Sequence, residues 1–220
     1  MKIWISEVGK CPRVVFFKFK RAPAEEIDPE RLRIFEDGHW LQQKILRPLF
    51  SYGMVRATEI PIPENEIVAG KADAIISDSF GIPYVLEIKS VSGKMNFEKL
   101  DPHRDFEHHI AQIQLYLHFF KIKKGFLLYI NKDTQELKEF LIEYDPEKIK
   151  SLLEWCYSLK EKIELDIVPE SLKDWPQNWE CQRCLFSEIC KMAGRNEIEW
   201  AQLKEKFENI EALKNQKENS

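Results

Sequence analysis

The chain has 220 residues, 44% hydrophobic and 12% aromatic, which suits one large domain or one domain with appendages and is too apolar for a disordered chain. Its formal net charge of −4 gives no sign of a polycationic partner for nucleic acid, although acidic ligands or an acidic tail can mask a local basic groove. No apolar run has the length of a signal peptide or a membrane span. A cytoplasmic protein without a membrane partner is expected, and its five cysteines read as thiols or metal ligands rather than a disulfide frame.

Residues 1–27 form an N-terminal segment with a lone Cys11 and an aromatic, basic run from Val14 to Arg21, read as a short amphipathic element whose lysines face water. A core is expected over 28–164. Asp28-Pro29-Glu30 starts a helix, with Asp as N-cap and Pro at the first helical position; it is expected to reach about Leu46 and stop before Pro48. Leu32, Phe35 and His39 fall near i, i+3 and i+7, which puts His39 on the core-facing side. Three strands follow, over 55–61, 67–77 and 82–90, the last two joined by a turn at Ser77–Gly81. Within this hairpin Asp73 interrupts one strand and Glu87 and Lys89 interrupt the other. Side chains alternate across a strand, so Glu87 and Lys89 share a face, and pairing could set Asp73 beside them. Two carboxylates and an ammonium are costly to bury unless a metal or substrate completes them.

Residues 92–104 read as a polar loop. Asp105 is expected to open a second helix on which His109, Gln112 and Tyr116 recur at i, i+3 and i+7, a stripe that reads by default as a wet face. Strands over 125–131 and 136–144 precede a third helix from Pro146 to about Glu164, with Ile149, Leu152, Leu153, Cys156 and Leu159 on its apolar side. Residues 165–179 lack periodicity and read as a connection. Cys181, Cys184 and Cys190 then stand in C-x₂-C-x₅-C spacing within a cysteine segment over 165–195, and 196–220 is a charged, helical tail. The cysteine spacing by itself fits a zinc knuckle closed by Cys11 or a histidine as well as an iron–sulfur site.

The Asp…Glu-x-Lys hairpin resembles the core motif of the PD-(D/E)xK nucleases. Gly38-His39 ahead of it, His109-x-x-Gln112-x-x-x-Tyr116 after it, Cys11-Pro12-Arg13 and the C-terminal cysteine trio together resemble the RecB-like branch, most of all its CRISPR-associated members. The resemblance covers about Ser6 to Cys190. It implies an α/β fold with an αβββαβ core, a central mixed sheet flanked by helices, and a staple joining the chain ends through a [4Fe–4S] cluster on Cys11, Cys181, Cys184 and Cys190. It also implies that His39, Asp73, Glu87 and the Ile88 carbonyl bind Mg²⁺ or Mn²⁺, that Lys89 completes the catalytic set with Asp73 and Glu87, and that Gln112 and Tyr116 engage a DNA strand, single strands favoured.

The function so implied is metal-dependent hydrolysis of DNA phosphodiester bonds, as an exonuclease in CRISPR adaptation or in recombination and repair, with proteins of those processes as partners. Lys89→Ala is then expected to abolish cleavage while leaving folding intact. Two alternatives stand beside it: a catalytically silent DNA-binding or scaffold subunit, and a zinc-stapled structural domain with solvated acids. Cleavage polarity and oligomeric state have no local sequence signal.

Overall fold

The computed structural model describes residues 1–91 and 97–208, except for the side chains of 30, 31, 34 and 35. These residues form two compact units: Met1–Gly9 with Asp28–Glu154, and Lys10–Ile27 with the chain from Trp155 onward. The chain passes between the units at Gly9/Lys10, at Ile27/Asp28 and at Glu154/Trp155, the last of these inside a helix.

In chain order the elements begin with strand β1 (Ile3–Trp4), a 3-10 turn (Ile5–Glu7), helix α1 (Pro12–Phe19) and helix α2 (Pro29–Ser51). Strands β2 (Val55–Pro61), β3 (Val68–Ala69), β4 (Lys71–Ser77) and β5 (Pro83–Val91) come next. Short helix α3 (Pro102–Asp105), α4 (Glu107–Phe120), β6 (Lys124–Asn131), β7 (Leu137–Glu143) and α5 (Pro146–Glu164) follow, then β8 (Ile167–Val168), α6 (Trp179–Gln182), α7 (Ser187–Ala193) and β9 (Ile198–Glu199).

The first unit is built on a five-stranded mixed sheet in the order β2-β4-β5-β6-β7, with only the β5–β6 pair parallel. The expected αβββαβ order is therefore the observed one. The parallel pair needs the α4 crossover between its strands. Gly125, the second residue of β6, stands where a Cβ would lie 2.8 Å from the Val85 carbonyl oxygen and 3.0 Å from Ile113 Cδ1, so only glycine lets α4 and β5 close on this point.

Alternation sorts the sheet into two faces. Ala74, Ile76, Leu86 and Ile88 pack with Leu46 of α2, and with Ile45 and Leu49 of the same helix. The intervening Asp73, Glu87 and Lys89 belong to the opposite face, where α4 lies. Helix α4 is covered on both sides: residues Ile110 to Leu117 are all buried, and the N-terminal turn packs on its far side.

Several boundaries differ from expectation. Helix α2 runs through Pro48 to Ser51. Proline there removes one intrahelical donor, but Pro48 and Lys44, whose carbonyl loses that donor, are both exposed, so water can satisfy it. The stretch over 67–77 is two strands broken at Gly70, the first of which pairs in parallel with β1. In the expected polar loop, residues 92–96 lie outside the described part, but a 3-10 turn at Phe97–Lys99 buries Phe97, Leu100 is buried, and α3 follows with Asp101 as N-cap. Helix α4 itself begins at Glu107, two residues later than Asp105. The "connection" after Glu164 holds β8, which pairs with β9. The tail is helical over 200–208 with Leu203 buried; Ile210 and Leu213 lie outside the described residues.

In the second unit α1 buries Val15, Phe16 and Phe17 and leaves Lys18 exposed. Phe16 and Phe17 meet Trp200, and Phe17 meets Phe186, as edge and tilted ring pairs. Cys156 is fully buried on α5, which pushes its thiol up to about 12, as expected of a structural cysteine.

Candidate active site

The β4–β5 hairpin is tied at its turn by Asp78, whose Oδ1 accepts from the Phe80 and Ile82 amides, while Gly81 supplies the positive φ. The register runs Ser77↔Pro83 to Ala74↔Leu86 and there the ladder ends. Past that point the Asp73 carboxylate, not a backbone carbonyl, accepts the Ile88 amide, at 2.7 Å from Oδ2. The hairpin opens at this residue, and its acid is locked to the strand carrying Glu87 and Lys89.

Glu87 is 2% exposed. Its Oε1 accepts from Lys89 Nζ at 2.7 Å and from Gln112 Nε2 at 2.7 Å, and the same ammonium donates to Gln112 Oε1 at 2.9 Å. A triangle of carboxylate, ammonium and amide results. Its remaining corner, Glu87 Oε2, is buried without a hydrogen-bond partner among the described residues. Burial pushes both acids up: Asp73 rises well above the usual carboxylate range, with the charge of Glu87 adding to the effect, and Glu87 rises against the pull of Lys89. An orphaned buried carboxylate oxygen is expensive as it stands and is a natural ligand for a hard divalent cation. The donor set therefore fits such an ion, although no three His, Cys, Asp or Glu side chains among the described residues are gathered as a finished cage.

Gln112 and Tyr116 do not form a wet stripe. They are 6% and 2% exposed, because α4 is enclosed between the sheet and the N-terminal turn. The Tyr116 hydroxyl donates to the Lys71 carbonyl at 2.7 Å and accepts from Gln112 at 3.3 Å. Burial, then Glu87, raises its pKa, so it stays a neutral donor. Stacking of Tyr116 on a DNA base is incompatible with this burial; the ring holds Gln112 in place instead. His109, third member of the stripe, places Nδ1 2.9 Å from the Tyr129 hydroxyl.

His39 is exposed on α2 rather than core-facing, and Leu32 is exposed too; the side chain of Phe35 lies outside the described set. Among the described side chains of the helix the buried ones are Leu41 and Leu46. Gly38 still sits against β5, where a Cβ would be 3.3 Å from Ser90 Oγ. One turn on from His39, Gln42 donates to Glu59 Oε1 at 3.2 Å. Residues at i and i+3 share a helix face, so the His39 face is turned toward Glu59.

Glu59 is a site residue that the motifs do not point to. It lies on β2 between the pairs Thr58↔Ala74 and Ile60↔Ala72, which is opposite Asp73, and its φ of 49° is one that non-glycine residues seldom adopt. Its charge raises the pKa of Asp73 and Glu87 further. The only sequence signal was an acid in the strand that pairs with Asp73, legible only once the register is known.

The four expected cluster cysteines, Cys11, Cys181, Cys184 and Cys190, all belong to the second unit, and none is in a disulfide. Burial pushes the Cys11 thiol up to about 12, with smaller contributions from the charges of Cys190 and Glu180; Cys181 and Cys184 are also raised, by burial and then in part by Cys190. These thiols lie within electrostatic reach of one another, although among the described residues they are not gathered as a finished metal cage. Beside them Arg13 is 1% exposed, and its guanidinium donates to the carbonyls of Pro169, Gly194, Arg195 and Asn196 and, at 3.3 Å, to Cys190 Sγ. A cation beside a sulfur suits a set of thiolate ligands. Arg13 stands in the Cys11-Pro12-Arg13 motif, which by itself gives the arginine no role; its burial against Cys190 and the four carbonyls is seen only in the fold.

The chain is 28% identical over 197 residues, 86% of each chain, to the CRISPR-associated exonuclease Cas4 of Saccharolobus solfataricus. Its backbone is similar to an alkaline exonuclease from Laribacter hongkongensis, at 15% identity over 74% of this chain and 88% of that one, with a TM-score of 0.54. A phage-related exonuclease from Haemophilus somnus is similar at 13% identity over 74% of this chain and 94% of that one, with a TM-score of 0.53. The model of the PD-(D/E)XK nuclease superfamily matches residues 19–191, which takes in the opened hairpin, both flanking helices and the cysteine trio. A match of that extent over a mixed sheet with its acids and lysine on one face leaves one conclusion: the chain belongs to the PD-(D/E)XK nuclease superfamily.

Proposed function

We propose that this superfamily member is a metal-dependent deoxyribonuclease, an exonuclease with a preference for single strands, serving CRISPR adaptation. The observation that carries the reading is the buried, unpartnered Glu87 Oε2 beside Asp73, with the Lys89 ammonium held on the other oxygen of the same carboxylate. Asp73, Glu87, the Ile88 carbonyl and His39 would hold one or two Mg²⁺ or Mn²⁺ ions, which supply Lewis-acid activation of water and neutralise charge at the phosphate.

The chain's own residues do the rest. Lys89, with its side chain 20% exposed, keeps a donor available to orient the attacking water and to offset charge growing on the phosphate oxygens. Gln112 fixes both Glu87 and Lys89, and Tyr116 fixes Gln112, so the pair is a positioning layer rather than a strand clamp. The preference for single strands then does not rest on stacking by Tyr116.

Exonucleolytic action and a CRISPR setting are supported by the similarity to the Saccharolobus exonuclease; proteins of CRISPR adaptation, or of recombination, are the partners this reading suggests. Cys11, Cys181, Cys184 and Cys190 would hold a [4Fe–4S] cluster, supported by their gathering in one unit and by the Arg13 donor to Cys190. The test is digestion of end-labelled single-stranded DNA with Mn²⁺, Mg²⁺ or chelator. Stepwise loss of nucleotides with the cation, and none with chelator or with Glu87→Gln, is the expected result. Intact DNA under every condition would refute the reading.

A further inference from the structure

Trp4 is 56% exposed and stands on a backbone that is held on both sides. On either side of it Ile3 and Ile5 are fully buried, so strand alternation drives the indole outward. β1 is pinned to β3 by Ile3↔Val68 and Trp4↔Ala69. Ile5 packs so tightly on Gly70 that a Cβ there would lie 3.0 Å from Ile5 Cβ. An indole with two rotatable bonds on a pinned backbone loses little freedom on meeting a flat partner.

Trp4 lines a cleft of about 170 Å³ with Lys2, Pro61, Pro63, Glu64 and Lys71, among others. That is well below the roughly 300–1,000 Å³ typical of sites that enclose whole small molecules, and suits one planar ring system. Its walls are mainly apolar, and two lysines sit at its rim. Lys2 is only loosely paired with Glu64, at 3.7 Å between exposed groups, and such a pair exchanges readily for a phosphate. Lys71 has no ion pair among the described residues.

The cleft is joined to the catalytic network. Lys71 is two residues before Asp73 on β4, so the two side chains share a face about 7 Å apart along the strand. The Lys71 carbonyl accepts the Tyr116 hydroxyl that holds Gln112 on Glu87. We infer that this cleft is a nucleobase subsite: Trp4 stacks on a base of the single DNA strand, with Lys71 and Lys2 on adjoining phosphates, while a neighbouring phosphate lies at Asp73 and Glu87. The inference rests on the nuclease reading and names where its substrate strand is gripped. An aromatic platform with rim cations takes any base and excludes a stacked duplex, which accounts for a single-strand preference.

The experiment measures anisotropy of a labelled single-stranded 12-mer on the purified full chain, with Ca²⁺ in place of the catalytic ion to hold off cleavage. Trp4→Ala is expected to weaken binding about 5- to 150-fold, the usual range for one lost base stack, and Trp4→Phe to keep most of the affinity. Trp4→Leu retains apolar bulk without a π face and is expected to behave like Trp4→Ala, which separates stacking from loss of fold. An abasic nucleotide moved along the oligonucleotide should weaken the parent at one position and leave Trp4→Ala indifferent there. Parent-like affinity in Trp4→Ala or Trp4→Leu, or equal abasic profiles in both proteins, overturns the subsite. Failure of the parent to cleave with Mn²⁺ while Trp4-dependent binding persists would strike the nuclease reading and leave the subsite standing.

Discussion

Lys89→Ala is the most informative single change, because it reports on folding as well as on catalysis. The Lys89 ammonium is the one charge that offsets Glu87 within its hydrogen-bonded triangle, at 2.7 Å, and Glu87 is 2% exposed. Removing one partner of such a buried pair costs about 3–5 kcal/mol, since the other charge is left uncompensated. For a chain of this size each kcal/mol moves a melting midpoint by about 2–4 °C, so the unit carrying the site should melt roughly 6–20 °C lower at pH 8. The sign of the pH dependence follows from Glu87. Burial already raises its folded pKa above the free value of 4.5, and loss of Lys89, which pulls it down, raises it further. An acid raised on folding is destabilising when ionised. The deficit is therefore absent below about pH 4.5, grows as pH rises, and is complete above the folded pKa. Thermal and urea melts of Lys89→Ala between pH 5 and pH 8, with Lys89→Ala/Glu87→Gln as the rescue, read this directly. A variant that matches the parent at pH 8, or whose deficit is as large at pH 5, would refute the reasoning. Cleavage is expected to vanish in both variants. The expectation of intact folding drawn from the sequence thus gives way once the burial of Glu87 is known.

Asp73→Asn removes a like charge beside Glu87 while its side-chain oxygen can still accept the Ile88 amide. In chelator at pH 8 it should stabilise the unit by about 0.5–2 kcal/mol, a gain that disappears below the free acid's pKa, and a destabilised variant would contradict it. Adding Mn²⁺ at about a hundred times its dissociation constant should raise the parent's stability by about 2.7 kcal/mol and leave Asp73→Asn nearly unmoved; equal shifts would argue against a cation at this acid. Tyr116→Phe deletes a buried donor to Lys71 and should lower stability by about 1 kcal/mol and slow cleavage, with single-strand affinity unchanged in the same anisotropy measurement. Reduced affinity would restore a direct contact with DNA. Cys181→Ala should lose iron, acid-labile sulfide and brown colour from anaerobically purified protein, together with stability of the second unit; a colourless parent carrying zinc would replace the cluster by a zinc staple.

Local chemistry was enough to read part of this molecule. The αβββαβ order follows from runs of period 2 and 3.6 punctuated by Asp, Pro and Gly, and the common face of Glu87 and Lys89 follows from strand alternation alone. The trio Cys181, Cys184 and Cys190 announced a shared environment by spacing. What the chain order could not reveal is which polar groups are covered. Gln112 and Tyr116 repeat like a wet stripe, yet the sheet and the N-terminal turn enclose α4 from both sides, so they become internal struts. Arg13 sits on a short apolar helix and is buried because carbonyls from Pro169 to Asn196, far along the chain, converge on it. His39 falls on a nominally apolar stripe but is exposed, and Glu59 enters the site only through the β2–β4 register. Periodicity is a property of neighbours in sequence; burial and hydrogen-bond satisfaction belong to neighbours in space, and those are decided only when the sheet and its helices have packed.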